Sequence, residues 1–347
     1  MEREVDSLQR SDMAILSHYP LHVMRIDDYG KVKKVQAVEG TFALKKIDDP
    51  RKLHAIEQAV FFYRPQMIPI YWSKRGTLFV AEGGYYYYVM PWISPPSGQR
   101  ATEAMISFFR DLATLHQKTL QEINVDETEL KNYYETKKAA WEEERSFLQS
   151  YAEQCEHEWY MSPFQLQFCT YFHETMQAYW FAETQLETWY EKMKETKKWR
   201  VAFVHGNARS SHYVQSERGG RYFLSWERAR WTFPLVDVAT SLYEYVRTPP
   251  PVDETWIDGF DEYKRQLAIR EEELAFFLSH AASPTYLYRV VSSYAAKRKK
   301  EWTEYAAVSR LQREYWALKQ TEQIVMRLVQ NEQLSNPIKM ESDGQQN

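Results

Sequence analysis

The chain has 347 residues, of which 44% are hydrophobic and 27% are charged, so it is long enough for two modest lobes around a hydrophobic core. Its formal net charge of −4 leaves no basic footprint, and we therefore expect no nucleic-acid partner. Two cysteines are too few for a disulfide framework, and no run approaches the ~18 apolar residues of a membrane span, which argues against a disulfide-stabilised or membrane-spanning protein.

The first quarter of the chain predicts a small β-sheet with one helix. An amphipathic segment at residues 4–17 predicts a leading helix, and turn residues then separate three strands that we expect to form consecutive hairpins, at residues 21–26, 32–38 and 41–47. A helix is predicted at residues 50–63, and further strands are predicted at residues 67–71, 77–81 and 85–90. The first turn carries a single Gly30 and no glycine-rich phosphate loop.

Most of the remaining chain has helical periodicity. Residues 94–98 have the composition of a linker, and the next helix begins at Thr102. Other helices are predicted at residues 126–155, 163–197, 238–247, 253–280, 284–300 and 302–333. The polar residues 335–347 are expected to be disordered. The charged N-terminus has no apolar signal-peptide region, so we expect a cytoplasmic protein.

One segment, residues 200–237, interrupts the helical pattern. The apolar residues 201–204 predict a buried strand, which breaks at His205-Gly206-Asn207 into a polar loop. Two β-prone runs follow at residues 212–214 and 221–226, and the Gly-Gly turn between them indicates a hairpin. This layout of strand, polar loop, hairpin and polar loop is typical of phosphoryl-transfer sites.

The segment resembles the catalytic core of the aminoglycoside-phosphotransferase and choline-kinase branch of the protein-kinase-like fold. In particular it resembles the kinase-like spore-coat proteins of spore-forming bacteria, the CotS, YutH and YsxE group. That branch reads H-G-D-x-x-x-x-N, then I-D-F-D or I-D-W-E, then D-x-A. The matching elements here are His205-Gly206-Asn207 with His212, Leu224-Ser225-Trp226-Glu227, and Asp237-Val238-Ala239.

The resemblance keeps the frame of the motif but changes its chemistry. Asn207 stands at the position of the catalytic aspartate, His212 at that of the metal-binding asparagine, and Ser225 at that of the metal-binding aspartate. Phosphoryl transfer in this fold needs a carboxylate for the acceptor hydroxyl and oxygen ligands for Mg²⁺. Losing a general base alone typically costs ~10²–10⁴-fold in rate. Glu227 is the carboxylate left nearby, whereas His205 and Asp237 are expected to be structural.

Lys45 is the predicted nucleotide contact. The resemblance implies that Ala43-Leu44-Lys45 is the A-x-K of the third strand, whose lysine reaches the phosphates, and that Glu57 on the following helix is its ion-pair partner. Lys46 serves equally well if the strand register is shifted by one residue. Zinc held by His205 and His212 lacks the four-ligand spacing of a metal site, and we therefore predict no metal site.

These observations predict an α+β, bilobal, protein-kinase-like fold with a small antiparallel N-lobe at residues 1–91, a mainly helical C-lobe at residues 92–334 and the tail. The resemblance implies a catalytically degenerate pseudokinase without a cofactor. It also implies that the protein is located in the mother-cell cytoplasm and then in the spore coat, where it interacts with other coat proteins. Two alternatives remain open, both with ATP: a phosphotransferase whose metal is held by Glu227, and a non-catalytic nucleotide switch using Lys45 and the tyrosines at residues 85–88.

Overall fold

The computed structural model describes residues 11–94, 100–248, 254–296 and 302–335. The chain divides into two compact units. The first unit comprises residues 1–100, 115–119 and 203–232, and the second comprises residues 101–114, 120–202 and 233–347. The start of the predicted leading helix, most of the predicted linker and nearly all of the predicted tail lie outside the described residues.

A five-stranded antiparallel sheet forms the body of the first unit. Its strands pair in the order β1-β2-β3-β5-β4, and they are β1 (Val23–Asp28), β2 (Val32–Ala37), β3 (Gly40–Ile47), β4 (Val80–Glu82) and β5 (Tyr85–Pro91). Apolar side chains of the sheet and of the preceding helical residues 11–16 share one buried cluster that includes Ile15, Leu16, Val35, Leu44 and Val89. Burial of this apolar surface holds the leading segment to the sheet.

Helix α1 (Arg51–Tyr63) belongs to the same unit, and it buries Ala55, Ile56, Ala59 and Tyr63 at helical spacing. The strand predicted at residues 67–71 is wrong, because this stretch makes only isolated bridges, Met67 to Phe223 and Tyr71 to Val89. Pro69 lies within the stretch and has no backbone N–H to donate to a β-ladder, so continuous pairing is interrupted there.

The first unit also contains the segment singled out in the sequence. A short 3₁₀ turn (Ser210–His212) leads into the predicted hairpin, which is confirmed as β8 (Tyr213–Gln215) paired antiparallel with β9 (Arg221–Phe223). The second strand ends earlier than predicted, because the Leu224 N–H donates to the His212 carbonyl at 2.8 Å and Ser225 adopts a left-handed backbone with φ +66°. Strand β10 (Arg230–Thr232) was not predicted.

Helices dominate the second unit, and two of them are long. Asp126 accepts the N–H groups of Thr128 and Glu129 and thereby caps the start of the helix Glu127–His157. Ser162 and Gln165 form a capping box at the start of the helix Pro163–Thr196. The helices and strands between and around them are α2 (Ala101–Thr119), β6 (Gln121–Asn124), α3 (Glu127–His157), α4 (Pro163–Thr196) and β7 (Lys198–Val204).

Among the described residues that follow, the helices are α5 (Leu235–Tyr245), α6 (Thr255–Gln266), α7 (Glu271–Ala282), α8 (Thr285–Ala295) and α9 (Glu304–Ser335). The single helix predicted at residues 253–280 is wrong, since α6 ends at Gln266 and α7 restarts after Arg270, whose backbone N–H donates to the Glu273 side chain. The predicted α+β class is confirmed. Within the described ranges, every helix is too short or too polar to cross a membrane.

Candidate functional site

Strand register places Lys45 at the centre of a small polar cluster in the first unit. Lys45 on β3 pairs across the sheet with Tyr88 on β5, so the two side chains stand side by side on one face. The Lys45 residue is 9% exposed, and its ammonium lies 2.5 Å from Glu227 Oε1 and donates to Ser225 Oγ at 2.8 Å. The neighbouring Lys46 is exposed and its ammonium lies over the Tyr85 ring, which settles the register in favour of Lys45.

The predicted ion pair between Lys45 and Glu57 is not formed. Glu57 lies on the exposed side of α1, and the ammonium of Lys45 is held by Glu227 instead. Glu227 was predicted from the sequence only as the carboxylate that remains near the metal position. The pairing was not predicted because Glu227 lies far from Lys45 along the chain, although Glu227 is the acidic residue of the second motif element.

Glu227 is an ionised, mostly buried carboxylate. Burial alone would raise its pKa, but the charge and hydrogen bond of Lys45 outweigh burial, and the Tyr88 hydroxyl adds a hydrogen bond at 3.1 Å, so the pKa of Glu227 lies below its ordinary value. Burial and the adjacent Glu227 charge raise the pKa of Tyr88 well above its ordinary value, which keeps the phenol neutral as a donor.

Hydrogen bonds of two imidazoles hold the loop His205-Gly206-Asn207 in place. His205 is fully buried, its Nε2 donates to the Leu224 carbonyl at 2.7 Å, and its Nδ1 accepts the Asn207 N–H at 3.2 Å. His212 Nδ1 donates to the Asn207 carbonyl at 3.0 Å. The two imidazoles therefore support the loop backbone through these bonds.

Gly206 allows a close approach that any side chain would block. Its φ is +73°, and a Cβ built on it would lie 2.0 Å from the Arg228 carbonyl oxygen and 2.8 Å from Arg230 Nη1. The guanidinium of Arg230 is thus packed against the loop that carries Asn207. Neither arginine was predicted from the sequence to be a site residue, although Arg228-Ala229-Arg230 directly follows Glu227.

Trp226 is part of the core and not of a ligand surface. It is 1% exposed, its Nε1 donates to the Phe223 carbonyl at 3.0 Å, and its ring packs against His205 and Tyr63 with centroids 4.6 and 5.3 Å apart. Its burial anchors Ser225 and Glu227 on either side, so the position of both polar side chains follows from packing of this indole.

The side chains in the cluster do not fit a magnesium–nucleotide complex. Mg²⁺ prefers several carboxylate and water oxygens in octahedral geometry. Here Asn207 is neutral, Ser225 offers a hydroxyl that already accepts from Lys45, and Glu227 is paired with the same ammonium. Across the described part of the chain, no group of three or more His, Cys, Asp or Glu side chains is arranged to hold a metal ion.

Residues 76–277 match the family described as the phosphotransferase enzyme family. Among solved structures, the aminoglycoside phosphotransferase from Alicyclobacillus acidocaldarius is similar with a TM-score of 0.69 and 13% identity, over 92% of this chain and 95% of that one. No curated protein matches the chain in sequence.

Two other solved structures are similar over nearly their whole length. A spectinomycin phosphotransferase in complex with ADP and spectinomycin has a TM-score of 0.56 and 11% identity, with 91% of this chain and 98% of that one covered. A microcompartment-associated aminopropanol kinase has a TM-score of 0.55 and 10% identity, with 91% and 97% covered. At these identities the likeness shows the fold alone, and it confirms the kinase-like fold predicted from the sequence.

Proposed function

Because the chain belongs to the phosphotransferase enzyme family, we propose that it is a catalytically degenerate member that works through interactions and does not transfer phosphoryl groups. The observation that carries the proposal is the neutral side chain at two positions where phosphoryl transfer needs a carboxylate. Asn207 stands at the base position and Ser225 at a metal position. The Ser225 hydroxyl already accepts a hydrogen bond from Lys45.

The cellular role in the proposal is that of a spore-coat component. The protein is made in the mother-cell cytoplasm of a spore-forming bacterium and binds other coat proteins. Support for this placement comes from the resemblance of residues 205–239 to the kinase-like coat proteins, and from nothing else in the molecule. A fluorescent fusion in a sporulating host is expected to form a ring around the forespore, and a signal that stays diffuse in the cytoplasm contradicts the placement.

Phosphoryl transfer is tested directly. Purified protein with ATP and Mg²⁺ is offered a panel of amino sugars and amino alcohols, and ADP formation is measured. We expect the rate of the protein-free control. Robust Mg²⁺-dependent ADP formation that is lost in Glu227→Ala would overturn the proposal and favour an atypical phosphotransferase.

The atypical phosphotransferase is the second candidate because Glu227 is ionised and adjacent to Lys45. The double variant Asn207→Asp/Ser225→Asp sharpens the decision. Gain of activity in this variant alone indicates that the two neutral side chains account for the silence of the natural chain. Absence of ADP formation in both proteins agrees with the proposal, and it means that other differences in the site also prevent phosphoryl transfer.

A further inference from the structure

Positive charge is in excess around the loop that carries Asn207. Residues 203–232 contain two glutamates, of which Glu227 is paired with Lys45 and Glu217 lies exposed in the hairpin turn. The same residues contain five arginines, Arg209, Arg218, Arg221, Arg228 and Arg230. A region that lacks carboxylates for a metal therefore carries cations suited to an anion.

Arg230 presents its guanidinium at this loop. One of its N–H groups donates to the Arg228 carbonyl at 3.1 Å, which holds Nη1 against Gly206. In the described part of the chain Arg230 forms no ion pair, and its side chain is exposed. A guanidinium has five N–H donors in a rigid fork, so most of its donors remain for a ligand.

Arg209 supplies an independent observation on the same loop, two residues after Asn207. Its Nε is buried and makes no hydrogen bond to any of the described residues. A buried donor on a charged group is costly when it is left without an acceptor. An anion bound beside the loop offers the acceptor that this nitrogen lacks.

We propose that the Gly206-Asn207 loop, with Arg230 and Arg209, binds a phosphate group without a metal ion. This inference rests on the proposed function and names the ligand class of the same site. Guanidinium groups match phosphate in a bidentate, charge-assisted geometry. Asn207 contributes an amide that can donate a hydrogen bond, whereas an aspartate at this position would repel the phosphate. Lys45 is not counted in this site, since its ammonium is paired with Glu227 and Ser225.

The test measures binding of inorganic phosphate, pyrophosphate, ADP and ATP by calorimetry on the full chain, in EDTA and again in Mg²⁺. We expect binding in EDTA that is not strengthened by Mg²⁺ and that weakens as salt is added. Similar Kd values for pyrophosphate and ADP would identify the phosphate as the recognised group, and a tighter ADP would identify a nucleotide. Absence of binding in EDTA overturns the inference.

Variants locate the site. Arg230→Gln is expected to weaken binding about tenfold or more, and Arg209→Gln to weaken it in the same direction, because each removes charged hydrogen bonds to phosphate. Arg230→Lys keeps the charge and is expected to retain part of the affinity. Arg218→Gln is the matched control, since Arg218 is exposed in the hairpin turn, and its Kd is expected to change less than about twofold.

Unchanged affinity in both Arg230→Gln and Arg209→Gln overturns the inference even if the protein binds phosphate. The ADP-formation assay separates the two proposals. ADP formation with Mg²⁺ contradicts the proposal that the protein has lost phosphoryl transfer. Absence of ADP formation together with absence of phosphate binding in EDTA contradicts only the proposed metal-free phosphate site.

Discussion

Each of the two units contains a buried ion pair, and the pairs differ in how they are held. In the first unit Lys45 pairs with Glu227, and the side chains of Ser225 and Tyr88 add hydrogen bonds to the pair. In the second unit Arg200 forms a two-pronged pair with Glu273, donating from Nε at 2.7 Å and also from Nη2.

Backbone groups of other residues complete the second pair, whereas the backbone bond described for the first comes from Glu227 itself. Arg200 Nη2 also donates to the Ala268 carbonyl at 2.7 Å, and the Arg270 N–H donates to Glu273 at 2.9 Å. Arg200 and Glu273 therefore fasten β7 to the start of α7. Buried charge by itself does not mark a functional site, and the motif around Lys45 is what distinguishes the first pair. Substitutions in the two pairs and beside them should therefore affect stability to different degrees.

Removing Glu273 should be the most damaging change. Glu273→Ala leaves Arg200 charged and buried without a partner, and we expect a loss of about 3–5 kcal/mol in the free energy of unfolding by urea denaturation. Glu271→Ala is the control, because Glu271 pairs with Lys192 at the surface of the same helical turn and should cost about 0–1 kcal/mol. Equal losses in the two variants would contradict the structural role assigned to the Arg200 pair.

Gly206→Ala should come next. The left-handed backbone alone costs a non-glycine residue about 1–2 kcal/mol, and the new Cβ would also collide with the Arg228 carbonyl. Gly219→Ala separates the two causes, because Gly219 has φ +81° but open space around its Cβ position. Denaturant unfolding should show the larger loss in Gly206→Ala, and a larger loss in Gly219→Ala would mean that the close approach is not tight.

The Lys45 pair should tolerate change better. Glu227→Gln keeps the shape and a hydrogen-bond acceptor for Lys45 and Tyr88 but removes the charge, and we expect a loss of about 1–3 kcal/mol in urea unfolding. Glu57→Gln on the exposed side of α1 is the control and should change stability by less than about 0.5 kcal/mol. A larger loss for Glu57→Gln would restore the ion pair predicted from the sequence.

Acid should destabilise the two units over different pH ranges. Burial lowers the pKa of His280 in the second unit to about 4, so its contribution is complete above about 6.5 and is lost as the pH falls towards 4. The expected loss over that window is about 3 kcal/mol by thermal or urea unfolding, and His280→Gln should remove it. Glu227, whose pKa is lowered, contributes above the ordinary carboxyl pKa of about 4.3, and its contribution is lost only below that pH. A stability curve of His280→Gln that still falls between pH 6.5 and 4 would contradict the assignment.

Local patterns in the sequence were enough for most of the fold. Periodicity and turn residues within about a dozen positions predict the three hairpin-linked strands, the hairpin after His212 and the long helices. Strand β6 was missed because all four of its residues are exposed, so no apolar alternation marks it. The break between α6 and α7 was missed because it contains neither glycine nor proline.

The residues of the candidate site could be named from the sequence, but the contacts among them could not. Motif spacing brought out Lys45, Asn207, Ser225 and Glu227, but the partner of Lys45 depends on how a strand and a distant loop pack, which no short window contains. The contact of Arg230 with Gly206 is of the same kind. Whether the positions have lost catalysis stays a prediction, since it concerns reaction rates.

The backbone at Ser225 has a consequence for protein engineering. Aspartate and asparagine occupy left-handed conformations more readily than most other residues, because their short polar side chains bond to the local backbone. Serine at φ +66° therefore sits on a main chain shaped for a different side chain. An aspartate at this position would adopt the same backbone with less strain than serine, so Ser225→Asp is a substitution that the local main chain favours.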